Sequence, residues 1–542
     1  MSLDCLARIS MRKHLTLALL ILGLAGCGEA PIVAPPDQDM DYQAQGWLAK
    51  SLPEIVDGMD SGEVTSQELV SDYLDRIERL DRRGPQLQSI IALNPNALAE
   101  AKELDRLRGE GKVLGRLHGV PILLKDNIES KEPLPTTAGS YALINNVTLE
   151  DAPLVAGLRR EGAIILGKTN LSEWANFRPR DSMSGWSAVG GQVKNPHMLD
   201  RNPCGSSSGS GAAAAASLAA AAVGTETNGS VICPATTNGI VGFKPTVGLV
   251  SQEGIVPISF SQDTAGPMTK SVRGAAMLLA AMDDREVDYE GYLDADALKG
   301  KRIGVARFAV GEDKSIWPLF DAALLVLESK GAEIVEIETR YELPETFQSM
   351  GFQVLLYEFK KTINDYLREA PGSVASRSLR DLIEFNASHE RELALFDQSI
   401  FDVAVEIGSI EEVAYQSARA SIDQATQSDG IDRYLDEYDV DLIVVPSGIP
   451  SPRRDPVNGD VWPPFVGIGW MAAVAGYPHA TVPMGAVNKL PVGLSLIGAK
   501  DQDIEVLAAA YAYEQASLAR VEPHYLKDAS EIPHIGKALA AP

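Results

Sequence analysis

The run Gly211–Ala222 is alanine throughout except for Gly211, Ser217 and Leu218. Alanine is the strongest helix former, because it loses no side-chain entropy on ordering. The run therefore predicts a helix with almost no polar face, buried on most sides and packed closely through its small residues. Such a helix needs a large core around it. A chain of 542 residues that is 45% hydrophobic has the material for one, and its length allows two to four domains.

Elsewhere helical and extended patterns alternate. Thr65 with Glu68 three residues later forms a capping box, opening a helix expected to reach Arg82 and stop at Gly84-Pro85. A second helix is expected from Asn96 to Arg108. Val120 to Lys125 reads as a buried strand ending in a charged residue, and Asp151 to Glu161 followed by Ala163 to Gly167 as helix then strand. Further strands are expected at 303–306, 333–336 and 442–445, with a last helix from Asp503 to Ala519. This alternation implies an α/β layered fold around a mainly parallel or mixed sheet. The segment Asp284 to Tyr438 is the poorest in motifs and is a candidate for shaping specificity.

Two serines 24 residues apart, Ser206 and Ser230, each stand in glycine-rich sequence, and Lys125 ends an apolar approach, Ile122-Leu123-Leu124. A serine hydroxyl is a poor nucleophile unless a neighbouring base takes its proton. Lysine serves as that base when burial disfavours its ammonium form. The three residues supply a nucleophile, a hydroxyl relay and an amine base, enough for acyl transfer without histidine. A lysine at a strand end can equally stand in solvent; the two serine blocks weigh against that here. A glycine- and serine-rich turn can also cradle phosphate, but the G-x-x-x-x-G-K-[ST] spacing is absent. No C-x-x-C or H-E-x-x-H occurs and the seven histidines are scattered, so neither a metal nor another cofactor is expected. The net charge of −26 argues against nucleic acid as a partner.

The N-terminus reads as a targeting segment. Arg12 and Lys13 precede an apolar stretch from Leu15 to Leu24, about half the length that spans a bilayer. Leu24-Ala25-Gly26-Cys27 resembles the lipobox of bacterial lipoproteins, where cleavage precedes a cysteine that carries the lipid. Residues 1–26 are then a lipoprotein signal peptide, Cys27 is the lipid attachment site, 27–44 form the tether, and 45–530 form one domain. Gly28 in place of aspartate leaves no retention signal for the inner membrane. The expectation is an exported, cell-envelope lipoprotein on the periplasmic face of the outer membrane. An ordinary secretory signal with an incidental cysteine is the alternative. Cys204 and Cys233 are open to two readings, one disulfide or two small buried thiols.

A set of ordered blocks carries a resemblance. Gly119-Val120-Pro121 with Lys125-Asp126, Gly167-Lys168-Thr169-Asn170, Gly205-Ser206-Ser207 through Ser230, and Cys233-Pro234-Ala235 are followed by Gly242-Phe243-Lys244-Pro245-Thr246. Ser261 to Met268, Ala475 to Pro478 and Pro491 to Leu494 complete the series. The chain resembles the amidase signature family from about residue 50 to 520. Gly224-Thr225-Glu226-Thr227-Asn228-Gly229-Ser230 and Lys168 to Arg178 are most similar to its peptide amidase branch.

The resemblance implies a layered α/β/α fold with a large mixed sheet covered by helices. It implies a Ser–Ser–Lys triad of Ser230 as nucleophile, Ser206 as bridge and Lys125 as base, and a cis Gly205–Ser206 bond. The backbone N–H groups of Thr227, Asn228, Gly229 and Ser230 are its oxyanion donors, with the Asp263 block supporting their loop. Many family members have glycine where this chain has Cys204 and Asn228. Trp174, Phe177 and Trp186 are open between a peptide cleft and plain core, and Arg178 is a candidate for meeting substrate. The implied substrate is the C-terminal amide of a peptide, with release of ammonia. The alternatives are a general aliphatic or aryl acylamidase, one component of a transfer-RNA amidotransferase, and a non-catalytic binding lipoprotein. The export signal and the acidic charge oppose the transfer-RNA reading.

Overall fold

The computed structural model describes residues 42–463 and 466–541. The expected leader, Cys27 and the tether up to residue 41 lie outside the described residues. The described residues belong to one compact unit. No helix among the described residues is long and apolar enough to cross a membrane.

The first strands are β1 (Ile90–Leu93), β2 (Pro121–Lys125) and β3 (Ile164–Thr169), followed by a short ribbon of β4 (Trp186–Ser187) and β5 (Gly191–Gln192). Then come β6 (Ala221–Glu226), β7 (Val241–Lys244), β8 (Thr264–Thr269), β9 (Arg302–Val305) and β10 (Glu333–Glu336). The series ends with β11 (Leu442–Pro446), β12 (His479–Val487) and β13 (Leu490–Ile497). All but the ribbon form one 11-stranded sheet in the order β1-β3-β2-β6-β8-β7-β12-β13-β11-β9-β10. The sheet is mixed. β2 runs parallel to both β3 and β6, and β9 runs parallel to both β10 and β11, while the other neighbours are antiparallel.

This order places the site. Leu124 of β2 pairs with Val223 of β6, so two parallel neighbours end side by side. Every residue of both strands is buried. In open sheets with parallel strands, ligands bind beyond the carboxyl ends of such strands. Lys125 closes β2, and the loop to Ser230 leaves β6 just after Glu226.

The alanine run departs from expectation. The helix covers Ser208–Ala215, and Ala221 and Ala222 already belong to β6. Ser217 takes the left-handed conformation at φ +59°, and Leu218 N–H closes back onto the Ala213 carbonyl at 2.9 Å. Ala220 N–H then bonds the Pro121 carbonyl at 3.2 Å and leads the chain into the sheet. Strand pairing with β2 and β8 on both sides outweighs the helical preference of alanine, which is a small effect at any one residue. The burial follows expectation, since all of Ala212 to Ala222 is buried.

Other elements fall close to their expected places. The capping box at Thr65 and Glu68 is formed and opens the helix Ser66–Ile77, which continues into a wider turn over Glu78–Arg82. Helices Ala97–Gly109, Pro153–Arg160 and Asp503–Ser517 match their patterns. The motif-poor segment contains helices Phe347–Glu369, Leu379–Ser388, Ser399–Glu406 and Val413–Thr426. They bury apolar groups of their own, with Phe359, Ile363 and Phe401 in one cluster and Phe347, Val354 and Ile422 in another.

Gly209 shows how tightly the helix after Ser206 is seated. A Cβ there would stand 2.3 Å from the carbonyl oxygens of both Asn170 and Ser89, which are backbone and cannot swing away. Overpacking of this kind costs about 1–3 kcal/mol or more. Gly209→Ala is expected to lower the melting temperature by several degrees in a thermal melt; an unchanged melt would contradict this packing.

Candidate active site

Lys125 projects from the end of β2 into a fully buried setting. Its Nζ lies 2.7 Å from Ser206 Oγ, 2.8 Å from Thr225 Oγ1 and 3.2 Å from the Thr225 carbonyl. Asn127 Nδ2 also donates to Thr225 Oγ1, at 3.0 Å, and so holds that hydroxyl in place. Burial lowers the lysine pKa to about 7, while the negative charges of Asp263 and Glu226 pull it back up. An amine near half-neutral at pH 7 has a lone pair with which to accept a proton from Ser206.

Ser206 is buried, and its peptide bond with Gly205 is cis. Ser172 N–H donates to the Ser206 carbonyl at 3.0 Å. The hydroxyls that follow serve the framework. Ser207 Oγ donates to the Thr225 carbonyl and accepts from Thr225 N–H, tying the serine block to β6. Ser208 Oγ donates to the Cys204 carbonyl, and Ser210 Oγ donates to the Val223 carbonyl at 3.0 Å.

Ser230 meets this block through the backbone, its carbonyl accepting from Ser207 N–H at 3.2 Å. It ends the loop 227–230, which is pinned at both ends. Thr227 Oγ1 donates to Asp263 Oδ1 at 2.6 Å, and Glu226 Oε2 accepts from the N–H groups of Val231 and Ile232 at 2.7 and 3.0 Å. Between these pins Gly229 adopts φ +85°, a conformation that favours glycine, with nothing within 4 Å of where a Cβ would stand. Among the described residues no acceptor meets the N–H groups of Asn228, Gly229 and Ser230. Asn228 is exposed, on the cavity side of the loop.

Of the two readings for Cys204 and Cys233, the structure takes the disulfide, with the Cα atoms 5.9 Å apart. It joins the residue two before Ser206 to the residue three after Ser230. Both cysteines line a cavity of about 1020 Å³ together with Gly205, Asn228 and Gly229. Its lining is also aromatic, with Phe308, Tyr341, Tyr434 and Trp470. Charged groups also line the cavity, among them Arg180, Asp181, Arg340 and Asp460.

The aromatic residues considered for the cleft lie instead in core. Trp174 packs edge-on to Phe401 with centroids 5.7 Å apart, Phe177 on Phe359 at 5.0 Å, and Trp186 on Phe396 at 5.7 Å. Arg178 is buried in an ion pair with Glu173, Nε to Oε1 at 2.8 Å, and its Nη1 donates to the Phe396 carbonyl. Its donors face protein, because the chain folds the 396–400 segment over it. The wall residues Tyr341, Tyr434 and Trp470 come from three distant segments that carry no local signal.

A protein-family model described as Amidase matches residues 68–507. The chain belongs to the amidase signature family. The peptide amidase of Stenotrophomonas maltophilia superposes with a TM-score of 0.83 at 44% identity, over 88% of this chain and 98% of that one. A probable amidase of Arabidopsis thaliana is 36% identical over 88% of this chain and 91% of its own length. One component of a glutamyl-tRNA(Gln) amidotransferase from Caldanaerobacter subterraneus is 33% identical over 86% and 96%. The mixed sheet with its helices is the amidase signature fold, and the protein is an amide-hydrolysing enzyme.

The disulfide is open to direct measurement. In denatured, unreduced protein, alkylation is expected to leave Cys204 and Cys233 unmodified and to label both after reduction. Releasing this loop, with its sequence separation of 29, is expected to cost about 3–4 kcal/mol of stability. Labelling without reduction would contradict the bond.

Proposed function

We propose that the enzyme hydrolyses C-terminal amides of peptides, releasing ammonia through an acyl-enzyme on Ser230. The observation that carries this reading is the contact of a buried, near-neutral Lys125 with Ser206 Oγ at 2.7 Å, beside the loop that ends in Ser230. Ser206 passes its proton to the Lys125 amine and takes the proton of Ser230. The Ser230 oxygen bonds to the carboxamide carbon as the carbonyl π bond opens, and the oxyanion faces the N–H groups of the 227–230 loop. The ammonium of Lys125 returns the proton through Ser206 to the leaving nitrogen, and the C–N bond breaks. Water then repeats the sequence on the ester, restoring Ser230.

Likeness to peptide amidase at 44% identity supports a peptide substrate, as does a cavity at the upper end of the usual range for ligand sites. For the cell, we propose an exported lipoprotein held by Cys27, on the periplasmic face of the outer membrane. The lipobox-like Leu24-Ala25-Gly26-Cys27 supports it, and a disulfide is at home in an oxidising compartment.

The test is ammonia release from a C-terminally amidated dipeptide and from a simple aliphatic amide. Turnover of the peptide amide is expected to dominate and to vanish in Ser230→Ala; preference for the aliphatic amide would overturn the substrate assignment. The base is neutral only above its pKa. kcat/KM is therefore expected to fall as pH drops through about 7 and to level off above it. Lys125→Ala is expected to lose about 100- to 10,000-fold in turnover, the usual worth of a positioned base. A rate indifferent to pH between 6 and 9 would exclude Lys125 as that base.

A further inference from the structure

The helices of the motif-poor segment reach the 227–230 loop through one buried carboxylate. Glu358 stands on the helix Phe347–Glu369 with no solvent exposure. Its Oε1 accepts from Tyr415 OH at 2.7 Å, on the helix Val413–Thr426. Its Oε2 accepts from the hydroxyls of Ser259 and Ser261 and from Ser261 N–H. One carboxylate therefore joins two helices to the turn that precedes β8.

That turn is wound around a second carboxylate. Asp263 Oδ2 accepts from the N–H groups of Ile258 and Ser259 at 2.8 and 2.9 Å, and Asp263 N–H donates to the Ser259 carbonyl at 2.8 Å. The other oxygen, Oδ1, accepts from Thr227 Oγ1 at 2.6 Å. The connection thus runs Tyr415, Glu358, Ser259, Asp263, Thr227, with a hydrogen bond or the Asp263-centred turn at every step. Hydrogen bonds to charged groups are the stronger kind, and in a buried setting each is costly to leave unmade.

The same helix also borders the cavity. Gln348, ten residues before Glu358 and so about 15 Å along the axis, is part of the cavity wall. One rigid element touches both the space for substrate and the support of the loop whose N–H groups face the reacting carbonyl. A carboxylate needed only to fasten helices to the core has no reason to be spent on the turn that carries Asp263.

We infer that Glu358 is a positioning residue for the 227–230 loop, acting through Ser259 and Asp263 on Thr227. This rests on the proposed role of that loop as the oxyanion site. Glu358 is buried and is not part of the cavity wall, so its effect is expected on the transition state and not on ground-state binding. Loss of one oxyanion donor costs about 100- to 1,000-fold in turnover, and misplacing the loop costs a part of that.

The experiment compares wild type, Glu358→Ala, Glu358→Gln and Ser259→Ala in the full-length protein. It reads kcat and KM on an amidated dipeptide, and deuterium uptake of the peptide spanning residues 224–232. Glu358→Ala is expected to lower kcat at least tenfold with KM within about threefold, and to speed exchange in that peptide while β12 and β13 are unchanged. Glu358→Gln, which still accepts from the serines, is expected to recover most of kcat. Should Glu358→Ala not fold, Ser259→Ala removes one of the three bonds from the turn to Glu358, leaving those of Ser261, and is expected to change kcat and exchange in the same directions by about threefold. Unchanged kcat, or lowered kcat with unchanged exchange at 224–232, in the folded variants would overturn the inference. The exchange readout does not depend on chemistry, so a fully active Ser230→Ala would defeat the proposed function while leaving the link between Glu358 and the loop to be decided by exchange.

Discussion

An amine buried at the end of a strand is the constraint on which the site depends. Lys125 has no solvent exposure, and its Nζ meets two hydroxyls and a carbonyl from neighbouring chain. Desolvating a charged amine is costly, so the group sheds its proton more readily and becomes a base at neutral pH. Its partners must then be brought to it. The parallel pairing of β2 with β6 supplies Thr225, and the serine block that starts at Gly205 supplies the Ser206 hydroxyl. Asp263 and Glu226 keep the lysine from being pushed lower still, while each also pins one end of the 227–230 loop. The lysine and the loop thus share their supports.

The alanines at 212–216 follow from the same demand for closeness. The helix Ser208–Ala215 starts two residues after Ser206 and packs against β6 and against the helix that follows Ser230. Side chains larger than alanine would move the two serine blocks apart. The Cys204–Cys233 bond adds a covalent tie between the blocks at the cavity side. From the far side, Glu358 brings the helical segment to bear on the loop. Three devices of different chemistry therefore act on one short stretch of backbone.

Much of this is legible in the sequence alone. Strand β2 with its terminal lysine, the helix opened by Thr65 and Glu68, and the mixed α/β architecture all follow from local pattern. The alanine run misleads only in type, because helix preference is weak beside pairing on both edges of β6. The roles of Trp174, Phe177, Trp186 and Arg178 are not legible. The aromatic partners Phe401, Phe359 and Phe396 are some 200 residues away, in the segment with the fewest motifs, and the same segment closes over the Arg178–Glu173 pair. The cavity wall and Glu358 escape for the same reason. A buried carboxylate in a helix has no sequence signal apart from the serines it meets across the fold.

The measurement that bears most directly on the account is where a fluorophosphonate attaches, and what it requires. The probe bonds covalently to an activated serine, and peptide mapping by mass spectrometry identifies which one. A single adduct on Ser230 is expected, formed rapidly in wild type and lost when Lys125 is replaced by alanine. An adduct on Ser206 or another serine, or labelling of Ser230 at an undiminished rate without Lys125, would contradict it.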